Sequence, residues 1–113
     1  MSSVRTVTDE TFAAEVEQSR RPVLVEYWAQ RCPPCRVVGP VLEAIAAEHE
    51  GVIDVVKLNI DENPRTTRKY GVLHVPTISL FAAGQVVKEV VGARSKAALE
   101  REFAEYLRPV ASP

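Results

Sequence analysis

Apolar residues along the chain fall into short, separated groups whose spacing alternates between helical and strand-like. Thr8 is placed to N-cap a helix over residues 9–19, with Phe12 and Val16 at i, i+4 giving one apolar stripe. Pro22 breaks that run, and Val23-Leu24-Val25-Glu26-Tyr27-Trp28 follows as a strand apolar on both faces, the pattern of a sheet interior. A helix then runs from the Cys32-Pro33-Pro34-Cys35 motif to about His49, with Pro40 as a kink and Gly51 as the stop. Asp54 to Ile60 reads as the next strand, so strand, helix and strand make a βαβ unit with parallel pairing.

The second half begins with a short helix at Asn63-Pro64 that ends before Gly71. Thr77–Ala82 and Val86–Val91 are strands joined through Ala83-Gly84-Gln85, a hairpin signal. Ser95 to Leu107 closes the pattern as an amphipathic helix with Leu99, Phe103 and Leu107 on one face. Pro109 is expected to end it and to leave a loose tail to Pro113. The sum is an α/β fold, a central mixed sheet with helices on both faces. It forms a single domain over residues 1–113 with its core in about 5–107.

Composition narrows what such a domain does. The 113 residues are 46% hydrophobic and 26% charged, with 14 Lys plus Arg against 15 Asp plus Glu, a net charge of -1. That balance offers no basic field for phosphates or anionic lipid, so neither nucleic acid nor a membrane surface is an expected partner. The start, Met1-Ser2-Ser3-Val4-Arg5-Thr6, lacks a signal-peptide apolar run, and no stretch approaches about 20 apolar residues, so a cytoplasmic location is expected.

Only two cysteines are present, Cys32 and Cys35. A disulfide between them would close almost no loop and constrain the unfolded chain little, and a reducing cytosol would keep it open. The pair is therefore there for reactivity. With Cys32 as N-cap, Pro33 takes N1 and Pro34 N2, where missing amides cost little, and Cys35 takes N3. Pro34 has no N–H, so the Cys35 amide is the donor left for the Cys32 sulfur. The positive helix end further favours a thiolate there. Cys35, a turn deeper, is expected to be the more buried thiol. Cys32 is then the attacking nucleophile and Cys35 the thiol that resolves the mixed disulfide. The same spacing also suits half a zinc site, but only His49 and His74 could complete it, and His49 lies about 20 Å along the same helix. No bound metal or cofactor is expected.

Taken in order, Trp28-Ala29, Cys32, Pro34, Cys35, Pro40, Lys57-Leu58-Asn59-Ile60-Asp61, Asn63-Pro64, Tyr70-Gly71-Val72, Val75-Pro76-Thr77, Phe81, Gly84 and Gly92 resemble the thioredoxin family over residues 5–107. The resemblance implies a monomeric protein-disulfide reductase, recharged by a flavin- and NADPH-dependent thioredoxin reductase. Residues alone leave Pro76 either an edge-strand opener or a cis proline. The resemblance implies the cis form, facing the disulfide and baring the Val75 backbone for strand-like pairing with substrate.

Glu26 interrupts an apolar strand, so it is either buried for a purpose or at an exposed strand end. The family usually has Asp there, acting on the second cysteine as proton acceptor and donor, with Lys57 on the neighbouring strand as charge partner. Trp28 is expected beneath the cysteine loop. Pro33, Pro34, Val75, Gly92 and Ala93 are expected to form an apolar substrate rim, with Gly92 kept small to allow approach. His74 and His49 read as a solvated loop residue and a helix C-terminal group. Three departures, Arg31 for the family's Trp, Pro33 for Gly and Glu26 for Asp, bear on partner choice and redox poise. Two competing uses of the fold are a dedicated redox partner and a binding subunit without turnover.

Overall fold

The computed structural model describes residues 3–108, and Pro109 and the tail lie outside them. Five strands, β1 (Val4–Thr6), β2 (Val23–Trp28), β3 (Asp54–Asn59), β4 (Thr77–Ala82) and β5 (Gln85–Val91), form one sheet in the order β1-β3-β2-β4-β5. β3 pairs parallel with β1 and β2, whereas β4 runs antiparallel to β2 and β5. The sheet is mixed, as the pattern predicts. β2 lies at its centre because five of its six residues are buried, which only a strand covered on both faces can be.

Three α-helices, α1 (Pro33–Glu48), α2 (Pro64–Lys69) and α3 (Lys96–Glu102), complete the fold. One face of the sheet carries Leu24, Ile78 and Leu80 against Val38, Leu42 and Ile45 of α1 and Leu99 of α3. The other carries Val25, Tyr27, Leu58 and Phe81 against Phe12 and Val16, with the Tyr70 and Phe81 rings edge-to-face at 5.0 Å between ring centres.

Among the differences from the sequence pattern, four have a local reason. β1 goes unpredicted because three residues with one buried position carry no alternation to read. The first helix shrinks to a π-helical segment at Ala13–Glu17, and Thr8 does not cap it. Thr8 is held in a turn by Thr11, whose hydroxyl accepts the Thr8 N–H at 2.8 Å. The β4–β5 connection is Ala83-Gly84 alone, both at positive φ (52° and 78°), and Gln85 already pairs with Ala82. Two such residues suit the right-handed strand twist better than a three-residue loop. The final helix stops at Glu102 and tightens to a 3-10 turn at Ala104–Tyr106, while Phe103 and Leu107 remain buried as expected.

What positions the site is the direction of the strands. β2 ends at Trp28, β4 begins at Thr77 opposite Tyr27, and β5 ends at Val91 opposite Thr77. The segments 29–32, 73–76 and 92–94 therefore emerge together at one edge of the sheet.

Candidate active site

Cys32 leaves that edge in extended conformation (φ -137°, ψ 90°) and N-caps α1, with both prolines in the first turn. The Cys35 amide donates to the Cys32 sulfur at 3.2 Å, the one side-chain bond that the Pro-Pro spelling leaves available. The two cysteines are disulfide-bonded with Cα atoms 5.3 Å apart. They do not differ in burial, at 5% and 6% exposure, which corrects the expectation that Cys35 is the deeper. The bond holds both sulfurs in one place. What separates them is their surroundings: Cys35 lines a surface-open pocket of about 150 Å³ together with Glu26, Trp28 and Lys57.

Glu26 is buried, at 4% exposure, which settles the choice the sequence leaves open. Its register partners are Lys57 on β3 and Ile78 on β4. Burial pushes its carboxyl up to about 7, against the pull of the Lys57 ammonium, so proton exchange at neutral pH is within its range. The Lys57 ammonium also sits over the Trp28 ring at 5.8 Å. Trp28 is half-buried and lines the cavity beside Cys35, and its indole Nε1 is buried without a partner.

Across the edge, the Val75–Pro76 peptide is cis, as the resemblance implies. Pro76 is buried, Val75 is half-buried, and the Gly92 amide donates to the Pro76 carbonyl at 2.8 Å. The Thr77 hydroxyl closes the loop by donating to the His74 carbonyl at 2.6 Å. Gly92 has φ +94° and open space where a Cβ would stand, so conformation is its first requirement. Pro33, Pro34 and Arg31 are exposed. Ala93 is half-buried and packs against the core, so it contributes less to the rim than expected.

His74 is exposed on its loop, and His49 caps the far end of α1 with Nε2 3.3 Å from Glu100. Among the described residues, no group of three or more His, Cys, Asp or Glu could hold a metal ion. No helix among them is long and apolar enough to cross a membrane.

Sequence reasoning passes over three positions at this site. Val37 and Leu73, 65% and 84% exposed, add aliphatic surface near the redox edge, and nothing in the sequence distinguishes them from ordinary apolar positions. Gly39 lines the Glu26 cavity, and its signal is a glycine inside an otherwise helical run.

A disulfide closing the first turn of a helix, at the edge where a cis proline begins the adjoining strand, defines a thiol–disulfide oxidoreductase. The thioredoxin family model matches residues 3–105. A thioredoxin of Streptomyces clavuligerus is 55% identical over 98 residues, covering 87% of this chain and 91% of its own length. One from Mycobacterium tuberculosis strain H37Rv is 50% identical over 99 residues, 88% of this chain and 85% of its own. The bifunctional thioredoxin reductase/thioredoxin of Mycobacterium leprae is 48% identical over 99 residues, which make up 22% of that longer protein. The chain belongs to the thioredoxin family and is a protein-disulfide oxidoreductase whose redox group is the Cys32–Cys35 pair.

Proposed function

We propose that the chain is a monomeric, cytoplasmic, general reductant of protein disulfides with a Cys-Pro-Pro-Cys centre. In this reading the Cys32 thiolate attacks a substrate disulfide, forming a mixed disulfide and releasing one substrate thiolate. Cys35 then gives its proton to Glu26 and attacks the Cys32 sulfur. The Cys32–Cys35 bond forms, the second substrate thiolate leaves, and two electrons have passed to the substrate. Val75 and Pro76 align the substrate backbone, while Trp28, Arg31, Pro33, Pro34, Gly92 and Ala93 border it. The Cys35 N–H bond to the Cys32 sulfur carries this assignment, because it stabilises a thiolate on Cys32 and offers none to Cys35.

Thioredoxin reductase is the proposed electron donor, and likeness to a protein whose name joins the two activities supports that choice. The test is reduction of a model protein disulfide with reductase and NADPH, alongside Cys35→Ser. The wild type should turn over, and the variant should accumulate substrate as a mixed disulfide on Cys32. Faster alkylation of Cys35 than of Cys32 in the reduced protein would reverse the order. Exposed Arg31 favours a second reading, a dedicated donor. Turnover with a dedicated reductase but not a general one would select it.

A further inference from the structure

The surface-open pocket beside Cys35 is unevenly charged. Arg36 and Lys57 supply two cations, Gln30 an amide, and Trp28 and Ala29 an apolar wall. Arg36 follows Cys35 on α1 and is exposed, whereas Lys57 is half-buried on β3. Among the described residues, neither Arg36 nor Arg31 has an ion-pair partner. The place is a costly one for a cation, because the start of a helix favours carboxylates, and the first turn of α1 holds no acidic residue.

The chain's own carboxylates do little to offset this. Glu26 is the one that lines the pocket, and with its carboxyl raised to about 7 by burial it is only partly ionised at neutral pH. Asp61 and Glu62 lie beyond the end of β3 and do not line it. Glu43 stands two turns further along α1, where it accepts the Ser3 amide at 3.0 Å.

We propose that this pocket is a specificity site, which takes the carboxylate of an Asp or Glu beside the target cysteine of a substrate protein on Arg36, with Lys57 behind it. The proposal rests on the reading of the chain as a protein-disulfide reductant. A guanidinium matches a carboxylate through two parallel N–H bonds, which a lysine cannot copy. The pocket, at about 150 Å³, has room for a carboxylate and its methylenes when a water-sized group takes about 30 Å³. Cys35 lines it and stands one helical turn from Cys32, so an acid seated there lies within a few residues of a substrate sulfur joined to Cys32. Strand order sets β3 and β4 on opposite sides of β2. The pocket draws on β3 and the cis-proline loop leads into β4, so substrate backbone and substrate side chain are read from different sides of the disulfide. A basic neighbour to the target cysteine is disfavoured by the same two cations.

The test uses three disulfide-linked peptide dimers that carry Gln, Glu or Lys at the two residues flanking the cysteine. The rate constant for oxidation of reduced protein by each is divided by that of dithiothreitol with the same peptide, which removes intrinsic reactivity. The wild type should favour Glu over Gln about three- to five-fold at low ionic strength. Gln should be favoured over Lys, and both preferences should shrink towards one in about 1 M salt. Arg36→Gln should lose most of the Glu preference, Arg36→Lys should restore part of it, and Arg31→Gln should keep most of it. Because the readout is a ratio, a change in the Cys32 thiolate that affects all peptides alike cancels. A wild-type Glu/Gln ratio of one, or a ratio that survives Arg36→Gln, overturns the pocket while leaving the reductant standing. Failure of the wild type to reduce any of the three peptides, with dithiothreitol reducing all of them, overturns the reductant reading and the proposal with it.

Discussion

Replacing Glu26 by glutamine should stabilise the protein, and by an amount set by pH. The carboxyl has an ordinary value of 4.5 and is raised to about 7 in the fold, with burial as the main cause and Lys57 opposing it. Between those limits the folded state holds a proton that the unfolded state has lost, so stability falls as pH rises. The full stability is present below pH 4.5 and is lost on passing through about pH 7. At about 1.4 kcal/mol per pH unit, the interval amounts to about 3 kcal/mol. The residue is only 4% exposed, so solvent screening removes little of this.

Glu26→Gln keeps a similar shape and removes the ionisation. Urea unfolding of the oxidised proteins from pH 4.5 to 8.5 measures the difference without interference from the thiols, which are then tied in the disulfide. All other ionisable groups are common to both proteins and cancel in the comparison. The variant should match or fall slightly below the wild type at the acid end. It should exceed it by about 3 kcal/mol at the alkaline end, a rise in Tm on the order of 10 °C. A difference that stays constant across pH would refute the reasoning, because a burial penalty on charge must vanish when the charge does.

Other consequences follow from particular contacts. Gly84→Ala places a Cβ 2.8 Å from the Glu17 carbonyl at φ +78°, and should cost at least about 2 kcal/mol by thermal unfolding. Asp9→Ala removes the carboxylate that accepts the Arg65 and Thr66 amides at 3.2 and 2.8 Å, and should lose about 1–2 kcal/mol in urea unfolding. Arg31→Trp removes an exposed cation one residue before Cys32, so attack on an anionic aromatic disulfide should slow several-fold at low salt and lose much of its salt dependence.

What the sequence makes legible follows from how local each determinant is. β2 and α1 are readable because burial on two faces and the first-turn spelling Cys-Pro-Pro-Cys are written in consecutive residues. The cap of α2 is not. Asn63 precedes the helix but makes no side-chain cap bond there, since its Oδ1 accepts the Asp9 amide and its Nδ2 donates to the Asn59 carbonyl. Asp9, more than fifty residues away, takes the helix amides instead. The site divides along the same line. Its sulfur chemistry lies in four adjacent residues, and the Cys35 amide bond could be deduced by elimination. The pocket beside it is assembled from β2, β3 and the middle of α1, where Glu26, Lys57 and Gly39 are brought together only by strand register and helix packing. Glu26 and Gly39 are each a local anomaly, a carboxylate in an apolar strand and a glycine in a helix. Neither explains itself alone. In the fold the two line one pocket beside Cys35, a neighbourhood that neither stretch of sequence displays.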